Sequence, residues 1–296
     1  MDLLWFLEGI RLPFLDQFFQ RCTYLGQELP ILVVICILFW CVHKDLAYQI
    51  GLSFFCGGLL LQSLKITFRI DRPWVLDPDF RPVPSALPAA TGYSFPSGHT
   101  QSAASLFSTL GLRARKRWVK AVCVLLFCLV GFSRMYLGVH TPKDVLAAIA
   151  VGLGCSLAVH RLYKRRSGSK KENRSVSLVL GALSLAVVCY ALVLMHVGVL
   201  DPAYAKDCCS GAGAGLGFAL GWYLERTYLN FSAEGSLPFQ AAKCVVGLLG
   251  ALALKEGLSV LLGDGIFAGV LQYFLLVLWV LAAYPFLFQT YQSRKS

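Results

Sequence analysis

Apolar residues recur along the chain in runs bounded by short polar segments. A bilayer core about 30 Å thick takes roughly 20 residues of α-helix, and nine runs approach or reach that length. They cover residues 29–43, 46–66, 96–112, 118–137, 143–162, 176–199, 207–226, 240–262 and 267–290. The pattern therefore predicts an all-α fold, a polytopic bundle of nine transmembrane helices.

The first 28 residues have a different pattern. In MDLLWFLEGIRLPFLDQFF, the apolar positions are interrupted by Glu8, Arg11, Pro13 and Asp16, and the segment lacks the basic start of a signal peptide. Apolar residues with interspersed charges are typical of a helix lying in the membrane interface. We therefore predict an N-terminal interfacial helix over residues 1–28.

Composition agrees with a membrane protein. The chain has 296 residues, of which 57% are hydrophobic and 15% charged, and its mean hydropathy is +0.64. Soluble domains carry about a quarter charged residues. Most of the 11 cysteines lie in apolar runs, and no C-x-x-C pair indicates a zinc or redox motif. Cys22, Cys208 and Cys209 lie near the predicted outer face, where a disulfide is the alternative to free thiols.

The net charge of +11 sets the predicted orientation. Two basic clusters, RARKRWVK at 113–120 and RLYKRRSGSKKENR at 161–174, flank two consecutive spans and so lie on one membrane side. The positive-inside rule places that side in the cytoplasm, and we expect the plasma (inner) membrane. A nucleic-acid partner is not expected, because no nucleic-acid-binding motif accompanies the basic runs.

The polar stretch at 164–175 divides the chain. We predict core helices over 29–163, a basic cytoplasmic linker over 164–175, and a four-helix membrane extension of unknown role over 176–296. In the extension, Gly213, Gly217 and Gly221 recur at spacings of four, which lets membrane helices approach closely. Packing within the chain is the default interpretation, and a homodimer contact is the alternative.

Three segments on the predicted outer side carry polar residues that the spans do not explain. Lys65 and Arg72 are seven residues apart, so both lie on one face at the end of the second span. YSFPSGHTQSA opens the third span, where Ser94 or Ser97 is a candidate helix cap and the helix N-terminus a candidate anion site.

The third segment is SRMYLGVHTPKD, between the fourth and fifth spans. Thr141 as N-cap, Pro142 at N1 and Asp144 at N3 form a capping-box pattern. His140 lies just outside that pattern, four residues from Asp144, whose carboxylate is within reach of one ring nitrogen. Together the segments bring two histidines and three basic residues to one membrane face.

These segments resemble the type 2 phosphatidic acid phosphatase superfamily, whose pattern is K-x6-RP, then PSGH, then SR-x5-H-x3-D. The chain has Lys65–Arg72–Pro73, then PSGH at 96–99, then Ser133–Arg134–His140–Asp144. The resemblance covers about residues 40–165. It implies an integral membrane phosphatase that hydrolyses a lipid phosphate or diphosphate monoester. The charge pattern places its active site on the extracytoplasmic side.

The resemblance also implies a role for each motif residue. His140 attacks phosphorus and becomes phosphorylated, Asp144 holds its other ring nitrogen protonated, and His99 protonates the leaving oxygen and later activates water. The substrate phosphate is bound by cationic side chains and the helix N-terminus, and neither a metal nor another cofactor is implied. The substrate-binding residues are Lys65, Arg72, Ser97, Gly98 and Arg134.

Two other functions remain open at this point. One is a phosphotransferase that passes the lipid phosphate to an acceptor hydroxyl, and the other is a non-catalytic lipid-phosphate carrier. The related vanadate-dependent haloperoxidases are soluble, which disfavours that activity here. The proline-rich loop from Pro73 to Phe95 either covers the site or is a stiff surface loop.

The charge pattern predicts sidedness directly. Residues 67–95 and 133–143 are expected outside the cytoplasm, and 113–117 and 164–174 inside. Cysteines placed at Ser85 and Ser169, in a background without native cysteines, should react with impermeant reagents from opposite sides. Labelling of both from one side would overturn the orientation.

Overall fold

The structure is a computed structural model that describes residues 1–293. Within that range the regular structure is helical throughout. The α-helices are α1 (Asp2–Gly9), α2 (Pro13–Thr23), α3 (Glu28–Ile37), α4 (Lys44–Phe68), α5 (Pro73–Leu76), α6 (Gly98–Arg113), α7 (Arg117–Tyr136), α8 (Pro142–Arg165), α9 (Lys170–His196), α10 (Pro202–Leu224), α11 (Leu237–Leu262), α12 (Ile266–Leu278) and α13 (Tyr284–Ser293). Three π-helical segments, Leu38–Val42, Glu225–Leu229 and Trp279–Ala283, continue α3, α10 and α12.

Six helical stretches in the described residues are long and apolar enough to cross a membrane, and the predicted all-α membrane fold is confirmed at that level. A seventh is possible if α2 and α3, which meet at 47°, act as one span. Two further predicted spans, 96–112 (α6) and 207–226 (α10), lie outside the six. Helix α6 has only 16 residues, and several of them carry hydroxyl groups. The count of nine therefore stays a prediction.

The N-terminal segment forms two helices where one interfacial helix was predicted over residues 1–28. Pro13 lacks an N–H and starts α2 at its N1 position, so the chain turns between the helices. The Trp5 indole donates to Asp77 (3.1 Å), and the Tyr136 hydroxyl donates to Asp16 (3.1 Å). Both helices are therefore tied to the segment that contains the sequence motifs.

The chain divides into two compact units. The first comprises Met1–Leu32 and Gln49–Tyr163, and the second comprises Val33–Tyr48 and the described residues from Lys164 onward. All the motif residues belong to the first unit. The eleven cysteines are free thiols, so the alternative of a disulfide at the outer face is wrong.

Helix α6 forms the centre of the first unit, with every residue from Thr100 to Thr109 buried. Near its end it is tied to two neighbouring helices, because the Thr109 hydroxyl bonds to Ser53 of α4 and to Ser156 of α8, each at 3.2 Å. In a membrane the hydrophobic effect does not drive helices together. Close packing of small residues and hydrogen bonds between hydroxyl groups on different helices stabilise their association instead. This packing fixes the position of the first turn of α6.

Helix α10 forms the centre of the second unit. A Cβ at Gly217 would lie 2.5 Å from the carbonyl oxygen of Phe274 in α12, and one at Gly221 would lie 2.7 Å from Leu281. Gly213 makes an equally close approach to the backbone of Val270. The glycine stripe therefore packs within the chain, as the default interpretation held.

Two glycines of α8 give a matched test of the first unit's packing. A Cβ at Gly152 would lie 2.6 Å from Ala104 Cβ and 2.9 Å from the Gln101 carbonyl oxygen, whereas Gly154 has no atom within 4 Å. We expect Gly152→Ala to destabilise the unit by about 1–3 kcal/mol through overpacking. Gly154→Ala should be neutral or stabilising through helix propensity. Thermal unfolding in detergent measures both, and equal shifts would contradict the close α6–α8 contact.

Candidate active site

The eight predicted site residues all lie at helix ends or beside them in the first unit. Lys65 is in the last turn of α4, and Arg72 immediately precedes α5. Arg134 is in the last turn of α7, and His140 lies in the connection to α8. The others lie at the starts of α6 and α8: Ser97, Gly98, His99 and Asp144.

His140 and Asp144 are paired, and Ser94 lies between them. The Asp144 Oδ2 atom is 3.5 Å from His140 Nδ1 and accepts from the Ser94 hydroxyl at 2.7 Å. The same Ser94 oxygen is 3.4 Å from His140 Nδ1. Asp144 also accepts from the Thr141 N–H at 2.7 Å, which confirms the predicted capping contact at the start of α8. The carboxylate therefore serves the helix start and the imidazole together.

Arg72 lies against the opposite edge of the His140 ring. Its Nη1 atom is 3.0 Å from His140 Nε2 and also donates to the Val139 carbonyl at 3.0 Å. A guanidinium only donates, so Nε2 of His140 is the acceptor and carries the lone pair. The ring proton is then on Nδ1, facing Ser94 and Asp144. This is the tautomer that leaves Nε2 nucleophilic.

Arg134 is fully buried, with 0% of its surface exposed. Its Nη1 atom donates to the Thr23 hydroxyl at 3.0 Å. Its Nε and Nη2 atoms have no hydrogen-bond partner among the described residues. A buried donor without a partner is costly, so these two atoms point to an anion that belongs in the site.

Lys65 and Arg72 are held by backbone carbonyls of the loop that precedes α6. Lys65 donates to the carbonyl of Tyr93. Arg72 donates to the carbonyls of Thr91 and Gly92, the latter at 3.0 Å. The loop from Pro73 to Phe95 therefore orients two cationic side chains. Of the two interpretations from the sequence, neither anticipated this contact.

The start of α6 departs from the predicted cap. Ser97 occupies the N-cap position, but its side chain bonds to no backbone N–H of the helix. It accepts instead from the Thr100 hydroxyl at 2.9 Å, and its own N–H donates to the Asp144 carbonyl at 3.1 Å. Neither serine caps α6 as predicted, because Ser94 is engaged with Asp144. The first turn of α6 is thus left without a side-chain cap.

The histidines lie in a positively charged, buried setting. Burial, and then the charges of Arg72, Arg134 and Lys65, hold the pKa of His140 well below its usual value. His140 is therefore neutral at physiological pH in the unliganded site. The Nε2 atom of His99 is buried and has no hydrogen-bond partner within residues 1–293. In that same range, no three His, Cys, Asp or Glu side chains cluster as a metal site would require.

The sequence analysis missed two residues that hydrogen-bond to the predicted site residues, Ser94 and Thr23. Ser94 was considered only as a helix cap, although its place three residues before Ser97 put it near the motif. Thr23 was not considered at all. It is 111 residues from Arg134 in sequence, and no local pattern signals that contact.

Comparisons with known proteins agree with the motif pattern. The family model of the PAP2 superfamily matches residues 46–168, and that of the PAP2 superfamily phosphatase transmembrane extension matches residues 209–296. Phosphatidylglycerophosphatase B of Bacillus subtilis is 30% identical over 158 residues, which are 49% of this chain and 73% of that protein. Lipid A 4'-phosphatase of Bacteroides thetaiotaomicron is 28% identical over 222 residues, covering 65% of this chain and 95% of the relative.

Among solved structures, the crystal structure of Aquifex aeolicus LpxE matches 54% of this chain and 93% of its own, with 30% identity and a TM-score of 0.47. The family indicated by the three motifs is confirmed by the family models and by the Bacillus relative. The chain therefore belongs to the PAP2 superfamily and is a membrane phosphatase of that family.

Proposed function

We propose that this protein removes phosphate from a membrane lipid phosphate or diphosphate, through a phosphohistidine formed on His140. The observation that carries the proposal is the buried Arg134, whose Nε and Nη2 atoms have no partner in the described chain. A phosphate oxygen supplies the acceptors that those donors lack. The relatives named for phosphatidylglycerophosphate and lipid A support a lipid substrate.

In the first step, the Nε2 lone pair of His140 attacks phosphorus and the bond to the leaving oxygen breaks. The phosphate displaces Arg72 from Nε2, and Lys65, Arg72 and Arg134 share the negative charge of its peripheral oxygens. The negative charge of the bound phosphate offsets the surrounding cations and favours the protonated form of His99, which gives its proton to the leaving oxygen. Asp144, assisted by Ser94, stabilises the positive charge that develops on the His140 ring.

In the second step, water replaces the leaving group. His99, now neutral, takes a proton from that water, the oxygen attacks phosphorus, and the P–N bond to His140 breaks. Inorganic phosphate then leaves, and His140 returns to its neutral form. The charge neutralisation comes from three side chains, so we propose a reaction that needs no metal or other cofactor.

We further propose the placement of this site in the membrane. The nine spans follow from the apolar runs, and the extracytoplasmic site in the plasma (inner) membrane follows from the charge pattern. Exposed apolar side chains on α1, on α2 and on the connection between them support an interfacial position for residues 1–28: Phe6, Leu12 and Phe14 are 64%, 59% and 76% exposed. Residues 29–163 form the catalytic core, 164–175 the cytoplasmic linker and 176–296 the extension.

A substrate series tests the lipid assignment. Burial of acyl chains contributes roughly 0.8 kcal/mol per CH₂, and a site at the membrane interface retains that contribution during catalysis. We expect kcat/KM for phosphate release to favour long-chain lipid phosphates over short, soluble esters. The comparison uses one chain-length series at fixed surface concentration in mixed micelles. Equal turnover of p-nitrophenyl phosphate and the best lipid would contradict a lipid substrate.

Substitution of the histidines tests the mechanism. His140→Ala should lower the rate by about a thousandfold or more while retaining phosphate-ester binding, since the nucleophile is lost. His99→Ala should affect substrates with poor leaving groups most, because its proposed task is protonation. The control His196→Ala, in α9, should be as active as wild type. Full activity of His140→Ala, or loss of wild-type activity in EDTA, would eliminate this mechanism.

A further inference from the structure

The N-terminal segment contacts the catalytic residues at two points. It precedes the part of the chain that the PAP2 family model matches, residues 46–168. Thr23, the last residue of α2, is fully buried and accepts a hydrogen bond from Arg134 Nη1 at 3.0 Å. Gly26 lies so close to α6 that a Cβ there would overlap the His99 carbonyl oxygen and lie 2.7 Å from Val130 Cγ1.

The segment is also fixed to α7 at its other end. The Tyr136 hydroxyl accepts from the Leu12 N–H at 3.3 Å and donates to Asp16 at 3.1 Å. Arg11 Nε donates to the Tyr136 carbonyl at 3.2 Å. Tyr136 is two residues beyond Arg134 on the same helix. Helix α2 therefore spans from Tyr136 to Arg134 and has little freedom to move relative to either.

The chemistry of Thr23 suits a residue that orients Arg134 without weakening it. A carboxylate in this place would orient the guanidinium but neutralise its charge, and a substrate phosphate would then compete with it. A hydroxyl accepts one hydrogen bond and carries no charge. It therefore fixes one edge of Arg134 and leaves Nε, Nη2 and the full positive charge for an anion.

We propose that Thr23 is a positioning residue for Arg134, which makes the N-terminal segment a functional part of the active site. The inference rests on the proposed function, in which Arg134 binds the transferred phosphate. Thr23 itself touches neither phosphate nor a reacting atom. Its contribution is the geometry of the Arg134 donors when the transition state forms.

Two substitutions at Thr23 distinguish the effect of the hydroxyl group from the effect of the side-chain shape. Thr23→Val keeps the branched shape and removes the acceptor, whereas Thr23→Ser keeps the acceptor and removes a methyl group. We expect Thr23→Val to lower kcat/KM by about tenfold, the effect of one hydrogen bond to a charged group. Thr23→Ser should stay within about twofold of wild type. Phosphate release from the best lipid substrate gives both values.

Inhibition by orthovanadate distinguishes positioning from loss of folded protein. Its five-coordinate form resembles the phosphoryl-transfer transition state, so its inhibition constant should weaken in Thr23→Val by the same factor as kcat/KM. A smaller folded fraction would lower kcat and leave that constant unchanged. If Thr23→Val does not fold in detergent, Thr23→Ala removes the same acceptor and the same comparison applies.

The outcomes are separable from those of the proposed function. A wild type that releases no phosphate from any lipid phosphate would contradict the proposed function. An active wild type with unchanged vanadate inhibition in Thr23→Val or Thr23→Ala would overturn this inference alone. Equal losses in Thr23→Ser and Thr23→Val would also overturn it, since the hydroxyl would then have no part.

Discussion

Buried positive charge is the constraint on which the first unit depends. Arg134 is completely buried and has no carboxylate partner in the part of the chain that the structure describes. Taking an ion out of water costs several kcal/mol even after relaxation, so such a group persists only where the fold holds it firmly. In Arg134 the cost is left largely uncompensated, and an anion that enters the site offsets it. The incomplete set of protein partners around Arg134 is therefore what supports the proposed binding of an anion.

Neutral acceptors are what allow the fold to hold these cations without cancelling them. Thr23 provides a hydroxyl to Arg134, and Gly92 provides a carbonyl to Arg72. The buried carboxylate of Asp144, beside the cluster, is instead engaged by Ser94, the Thr141 N–H and the Nδ1 edge of His140. The negative charge of Asp144 lies at the Nδ1 edge of the imidazole, and the positive charge of Arg72 lies at its Nε2 edge. This separation is what the proposed mechanism requires of one site, a nucleophile beside an anion-binding surface.

The parts that the sequence predicted are those with local geometric causes. The capping contact between Thr141 and Asp144 follows from a spacing of three residues at a helix start, so HTPKD was sufficient to predict it. The family motifs located the site residues at helix ends. The contact between Thr23 and Arg134 joins positions 111 residues apart, and a single sequence contains no periodic signal for it. The N-terminal segment is divided into α1 and α2 because Pro13 starts a new helix. The prediction of one interfacial helix did not take this effect of proline into account.

Helix α6 is buried inside the first unit although its hydropathy is low for a membrane-spanning helix. Its sequence, GHTQSAASLFSTLGLR, is too short and too polar for the span criterion, yet the helix is buried from Thr100 to Thr109. Each buried hydroxyl needs a partner in a medium without water, and Ser53 and Ser156 supply partners to Thr109. A helix held by directional bonds on two sides has fewer alternative positions than one held by apolar contacts alone. Because His99 lies in the first turn of α6, the hydroxyl contacts that hold this helix also fix the place of the proposed acid–base group.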